Sequence, residues 1–176
     1  MPAAEATWQP SNSATPARHL LTHARVCKRS EMIEKRILVV DDDDAIRALL
    51  ITVLHRRGFK VDVARTGVEA MEQAARCRYA VMLLDLMMPR MSGYEVLDEL
   101  QKTPRNERPI VIVLTAGTES RALAPDVVSG TVKKPFDIEL LVDTVAACLN
   151  SLPAQPQPEE CPPAESEVNA VNRHAS

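Results

Sequence analysis

Short apolar runs alternating with amphipathic stretches constrain this chain more than any other feature of its sequence. Ile37-Leu38-Val39-Val40 is apolar without interruption and stops at Asp41, the pattern of a strand buried on both faces rather than one lying half in water. Ile46, Leu49, Leu50, Val53 and Leu54 then recur at i, i+3, i+4, i+7 and i+8, with Gly58 placed to end the helix they predict. The alternation continues through Phe59 to Val63, a helix opening at Thr66-Gly67-Val68-Glu69, the run Ala80-Val81-Met82-Leu83-Leu84, a helix opening at Ser92-Gly93-Tyr94-Glu95, and the run Ile110 to Leu114. Both helix openings have capping-box spacing, in which a hydroxyl and a glutamate three positions on satisfy each other's backbone N–H groups. Ser129 to Lys133 is a weaker fifth strand, and Asp137 caps a last helix with Ile138, Leu141, Val142, Val145 and Leu149 on one face. Residues 118 to 126 have room only for a short helix, closed by Pro125.

Five strands separated by helices imply right-handed crossovers and a parallel sheet covered on both sides, a doubly wound α/β sandwich. The pattern occupies residues 33–150. Eight of the thirteen prolines lie outside it, where apolar periodicity is also missing, so residues 1–32 and 151–176 are expected to be a disordered extension and a disordered Pro-rich acidic tail. Met32, directly before the first strand, is an alternative start to Met1.

Charge narrows the partners. Basic residues exceed acidic ones before the first strand, acidic ones exceed basic after the last helix, and the net charge is −3. A domain without a basic excess lacks the electrostatic footprint of nucleic-acid binding. No stretch approaches eighteen apolar residues, and Met1 to Pro10 has neither the basic nor the apolar region of a secretion signal; a cytoplasmic protein is expected. Cys27, Cys77, Cys148 and Cys161 are scattered, without a Cys-x-x-Cys pair, and are expected to be reduced thiols.

In an open parallel sheet, function gathers beyond the carboxyl ends of the strands, where strand order reverses. The first strand ends at Asp41-Asp42-Asp43-Asp44, the third at Asp85, the fourth at Thr115 and the fifth at Lys134-Pro135. Asp43 or Asp44 is expected to cap the helix that follows. Asp41, Asp42 and Asp85 must converge, and like charges 4 Å apart repel by about 4 kcal/mol at an effective dielectric near 20. A hard divalent cation such as Mg²⁺, which takes carboxylate and phosphate oxygens, reconciles them. A carboxylate so placed can attack phosphorus, with the Lys134 amine and the Thr115 hydroxyl to hold the transferring oxygens.

These residues resemble those of response-regulator receiver domains, which have a flavodoxin-like fold. The similarity spans about Lys35 to Leu149 and rests on Ile37 to Asp42, Leu84-Asp85-Leu86-Met87-Met88-Pro89 with Met91-Ser92-Gly93, Leu114-Thr115-Ala116, and Lys134-Pro135-Phe136. The resemblance implies that Asp85 accepts a phosphoryl group from a phosphohistidine. Asp41, Asp42, Asp85 and the backbone carbonyl of Met87 would hold Mg²⁺. Thr115 would bond the phosphoryl oxygen, Lys134 would pair with Asp85 or its phosphate, and Lys134-Pro135 would be a cis peptide. The implied partners are a sensor histidine kinase or histidine phosphotransfer protein and an unknown downstream protein. The expected role is a single-domain response regulator, a phosphoacceptor switch promoting its own phosphorylation and dephosphorylation rather than an enzyme.

The chain departs from that family in three places. Thr131 stands where many members have an aromatic residue. The interval from Thr115 to Lys134 is short, so the fourth helix is expected to be shortened or lost. Met87 and Gly117 cannot orient water, which predicts slow loss of phosphate. Two other functions are weighed. A haloacid-dehalogenase-like phosphohydrolase would use Asp41-Asp42-Asp43, but Ala45 breaks its pattern and Asp85 is left unexplained. A pseudo-receiver that only binds partners would commonly lose the acceptor, the acid pair or the lysine, and all are retained.

Overall fold

The computed structural model describes residues 35–117 and 122–153, together with Pro158 and Cys161. The elements are β1 (Arg36–Val40), α1 (Asp44–Arg56), β2 (Lys60–Ala64), α2 (Gly67–Arg76), β3 (Val81–Asp85), α3 (Gly93–Lys102), β4 (Ile110–Thr115), β5 (Val128–Lys133) and α4 (Ile138–Ser151). The strands form one sheet in the order β2-β1-β3-β4-β5, every pairing parallel. The expected N-terminal extension, Met32 and most of the Pro-rich tail lie outside the described residues.

The uninterrupted apolar runs are explained by helices on both faces. Leu38, Val40, Met82, Leu84, Val111 and Val113 point into one core with residues of α2 and α3. Their neighbours Ile37, Val39, Val81, Leu83, Ile112 and Leu114 point into the other, with residues of α1 and α4. Because side chains alternate along a strand, a strand covered on both sides must be apolar at every position. β1 and β3 are buried throughout. The chain moves outward from β1 to β2 and then returns across β1 to β3, so the order reverses between β1 and β3. That reversal opens a crevice at their carboxyl ends.

Three places in the structure bear on the details of the sequence reading. First, the buried set of α1 is Arg47, Leu50, Ile51 and Leu54, while Leu49 is exposed. The helical period is right, but its phase is turned by about one residue because the Arg47 side chain takes the first inward slot. Second, the crossover between β4 and β5 is short, as its length predicts, and carries no helix among the described residues; 118–121 of the expected short helix lie outside them. Instead Val127 is buried, with Leu123 and Ala124 packed beside it. Val127 N–H donates to the carbonyl of Ala124 at 3.1 Å, and the β4–β5 register shifts between Val111 and Ile112. With no helix described above it, β5 alternates half-buried and exposed positions, and Thr131 and Lys133 are exposed. Third, Cys77 and Cys161 are not free thiols: they form a disulfide, with Cα atoms 4.9 Å apart. Nothing in the cysteine spacing signals this pairing, because the partners are 84 residues apart and only the fold brings them together. Cys148 is a free, half-buried thiol. Among the described residues no helix is long and apolar enough to cross a membrane.

Candidate functional site

The site is built at the carboxyl ends of β1, β3, β4 and β5. Asp41 follows β1 directly and is fully buried. Asp43 caps α1, its carboxylate accepting from the N–H groups of Ala45 and Ile46 at 2.8 and 3.1 Å, so the four acids divide into cap and site. Asp43 N–H in turn donates to Asp41 Oδ1 at 2.9 Å. Asp85 is the last residue of β3 and is buried. Asp41, Asp42 and Asp85 each place a carboxylate oxygen within 4.8 Å of the others.

Lys134 crosses to them from the end of β5. Its Nζ lies 2.8 Å from Asp41 Oδ2 and 2.9 Å from Asp85 Oδ2. The pairing of Thr115 with Lys133 and a 2.6 Å bond from Lys134 N–H to the Thr115 carbonyl fix where the lysine starts, and the Lys134-Pro135 peptide is cis. Thr115 is buried, and its hydroxyl oxygen accepts from Gly117 N–H at 3.0 Å. Met87 is exposed, and its N–H donates to Asp85 Oδ1 at 3.3 Å. The five polar residues named from sequence therefore all stand at one sheet edge, with Met87 in the loop beyond β3.

The charges are not balanced. Burial raises the Asp41 carboxyl above its ordinary value, against the hydrogen bonds from Lys134 and Asp43 that lower it. Burial pulls the Lys134 amine down, but the hydrogen bonds and charges of Asp41 and Asp85 outweigh it and leave the amine raised. Three carboxylates against one ammonium favour a further cation, and an all-oxygen donor set suits a hard one such as Mg²⁺.

One participant is absent from the sequence reading. Arg47, buried on α1, donates from Nη1 to the carbonyl of Asp41 at 2.6 Å and pairs with the Asp44 carboxylate. It fixes the strand end that carries the acids. An arginine at an inward helical position was its only sequence signal, and the apolar residues around it masked the phase.

Known proteins share the family and the fold. Residues 37–146 match the family model for the response regulator receiver domain. A transcriptional regulatory protein of Bacillus subtilis, YkoG, is 38% identical over 125 residues, which cover 67% of this chain and 52% of that protein. The chain spans about half the length of the curated relatives it matches. Among solved structures, the response regulator TrrA of Thermotoga maritima, in complex with Mg²⁺-BeF, superposes with a TM-score of 0.58. It is 36% identical, covering 65% of this chain and 98% of that one. A response regulator signal receiver domain from Bermanella marisrubri gives a TM-score of 0.61 at 31% identity, covering 66% of this chain and 99% of that one.

Proposed function

Because this chain belongs to the response regulator receiver domain family of two-component signalling, we propose that it is a phosphorylation switch whose acceptor is Asp85. The observation that carries this reading is the convergence of Asp85 with Asp41, Asp42 and the Lys134 ammonium at the reversal point of the sheet. Asp41, Asp42, Asp85 and the Met87 carbonyl are the groups proposed to hold Mg²⁺. The bound ion would neutralise charge on the transferring phosphoryl oxygens.

The chain's own residues do the rest. Lys134 engages Asp85 Oδ2, while among the described residues Oδ1 receives the long bond from Met87, so Oδ1 is the oxygen freer to attack. The attack forms an O–P bond as the P–N bond to the donor histidine breaks, and the ring nitrogen released, which keeps the bonding electron pair, takes up a proton from solvent. The Lys134 ammonium and the Thr115 hydroxyl then hold phosphoryl oxygens. For that, the hydroxyl keeps its proton as donor while its oxygen accepts from Gly117, an orientation the 3.0 Å bond permits. The acyl phosphate is stored on the protein rather than turned over on an external substrate, so the role is that of a switch rather than an enzyme. The proposed donor is a sensor histidine kinase or histidine phosphotransfer protein, and the proposed output is a protein contact in the cytoplasm.

Incubation with acetyl phosphate, followed by intact-mass measurement, tests the reading. One phosphoryl group should appear with Mg²⁺, be lost on chelation, and be absent in Asp85→Asn. An unlabelled wild type in Mg²⁺ would instead make the chain a binding module of the same fold, and labelling of Asp85→Asn would move the acceptor elsewhere.

A further inference from the structure

Two consecutive lysines stand at the end of β5, and they approach the site differently. Lys134 crosses to Asp41 and Asp85. Lys133, the last residue of the strand, is exposed and pairs in register with Thr115, so these two side chains leave the same face of the sheet. The Lys133 side chain lies over Gly117, a glycine with φ 81°. The three atoms nearest to where a Gly117 Cβ would stand are all from this lysine: Cε, which it would collide with, and Cδ and Nζ, each at 3.0 Å. A side chain at position 117 and this lysine conformation exclude each other. Gly117 N–H in turn donates to the Thr115 hydroxyl oxygen at 3.0 Å, so the lysine packs on the turn that positions Thr115. Chained together, these contacts place Lys133 Nζ no more than about 8.5 Å from the Thr115 hydroxyl oxygen. That is inside the screening length of about 10 Å at 0.1 M salt.

We propose that Lys133 is a second cation of the phosphoryl site, which draws an anionic phosphodonor toward Asp85 and offsets the charge that the transferred group brings. The inference rests on the reading of Asp85 as phosphoacceptor. Three observations favour this role over that of a solvated surface lysine. The first is place: the ammonium lies against the Thr115–Gly117 turn. The second is charge. Three ionised carboxylates face Lys134, and a bound divalent ion would bring the cluster only to neutrality. An acyl phosphate carries up to one negative charge more than the carboxylate it replaces, so the phosphorylated site is short of one positive charge. The third is reach. A lysine has a compact ammonium on a flexible four-carbon stem, and an exposed stem lying over a residue without a side chain is free to swing toward Thr115. Lys133 forms no covalent bond and keeps its protons, so the transfer to Asp85 balances without it.

The test uses the full chain, with acetyl phosphate as donor, saturating Mg²⁺ and intact-mass measurement of the initial rate of labelling. Lys133→Met keeps most of the stem and removes the charge. It should be labelled about three- to tenfold more slowly than wild type in low salt, and the gap should close as salt is raised. Lys133→Arg should retain most of the rate. Lys102→Met, which removes the same charge from the far end of α3, should match wild type. A Lys133→Met protein labelled as fast as wild type would overturn the proposal. So would equal slowing in Lys102→Met, a Lys133→Arg protein as slow as Lys133→Met, or a gap that salt leaves unchanged.

A further measurement needs no variant. Brief treatment of the wild type with a propionyl succinimidyl ester, followed by peptide mass spectrometry, reads the accessibility of each amine. Phosphorylation should slow modification of Lys133 and leave Lys102 unchanged; equal modification of Lys133 in both states would count against its approach to the phosphoryl group. A wild type that is not labelled at all would sink the switch and this role with it, whereas a labelled wild type indifferent to Lys133 would sink this role alone.

Discussion

Gly93 shows how little room surrounds the acceptor. Its N–H donates to the Leu86 carbonyl at 3.1 Å, and a Cβ there would run into the Asp85 carbonyl oxygen and lie 2.8 Å from Leu86 Cα. Both obstacles are backbone, so Gly93→Ala must displace α3 or the end of β3. Urea denaturation should show a loss of about 1–3 kcal/mol, with slower phosphoryl labelling alongside. Tyr79 gives a residue-level pH effect. Burial, then the nearby Asp62, push its phenol well above the ordinary 10.0, so folding favours the protonated form. That stability is fully present below about pH 10 and is lost as pH rises toward the folded value. Denaturant midpoints followed into the alkaline range should fall less steeply for Tyr79→Phe than for wild type. Some dependence should remain, because the raised Lys134 acts with the same sign. The acids, threonine and lysine of the site were legible in the sequence because each ends a strand. Arg47 and Arg36 were not, because a cation's burial depends on which carbonyls and carboxylates the fold sets before it.

Among the elements, α3 is the one whose start is most fully specified. Ser92 Oγ accepts from Glu95 N–H at 3.4 Å and Glu95 Oε2 accepts from Ser92 N–H at 2.8 Å, the reciprocal box that the spacing predicts. Ser92→Ala should cost about 1 kcal/mol of stability in thermal melting. The Ser92 backbone N–H, then its hydroxyl, hold Glu95 below its ordinary 4.5. The glutamate's contribution is therefore present above that value and lost as pH falls through the lowered one, a dependence that Glu95→Gln should remove from melts carried into the acid range. Strand positions were readable to within about a residue because covered strands must be apolar at every position. The phase of α1 was not, because an arginine counted as polar sits inward. The crossover before β5 could be read as shortened from its length alone, but no local pattern reveals the bulge that adjusts β5 to β4.

At the scale of the whole molecule, the doubly wound sheet was legible because the periods of strand and helix alternate without exception from β1 to β4. The link from Cys77 to Cys161 was not, because only the fold brings the two cysteines together. In the unfolded chain that link closes a long loop, 84 residues in separation, and such cross-links stabilise by about 2–4 kcal/mol. Urea midpoints of the oxidised chain should exceed those of the reduced chain accordingly. Lys134 has a consequence of its own for the complete protein. By bridging Asp41 and Asp85, it supplies an internal counter-ion that lets the acids assemble during folding before any metal arrives. Domains whose ligands only repel one another fall apart when stripped of their ion. This one should tolerate a chelator with its melting curve intact, falling silent while keeping its shape, and resume work when the ion is restored, with no refolding step in between.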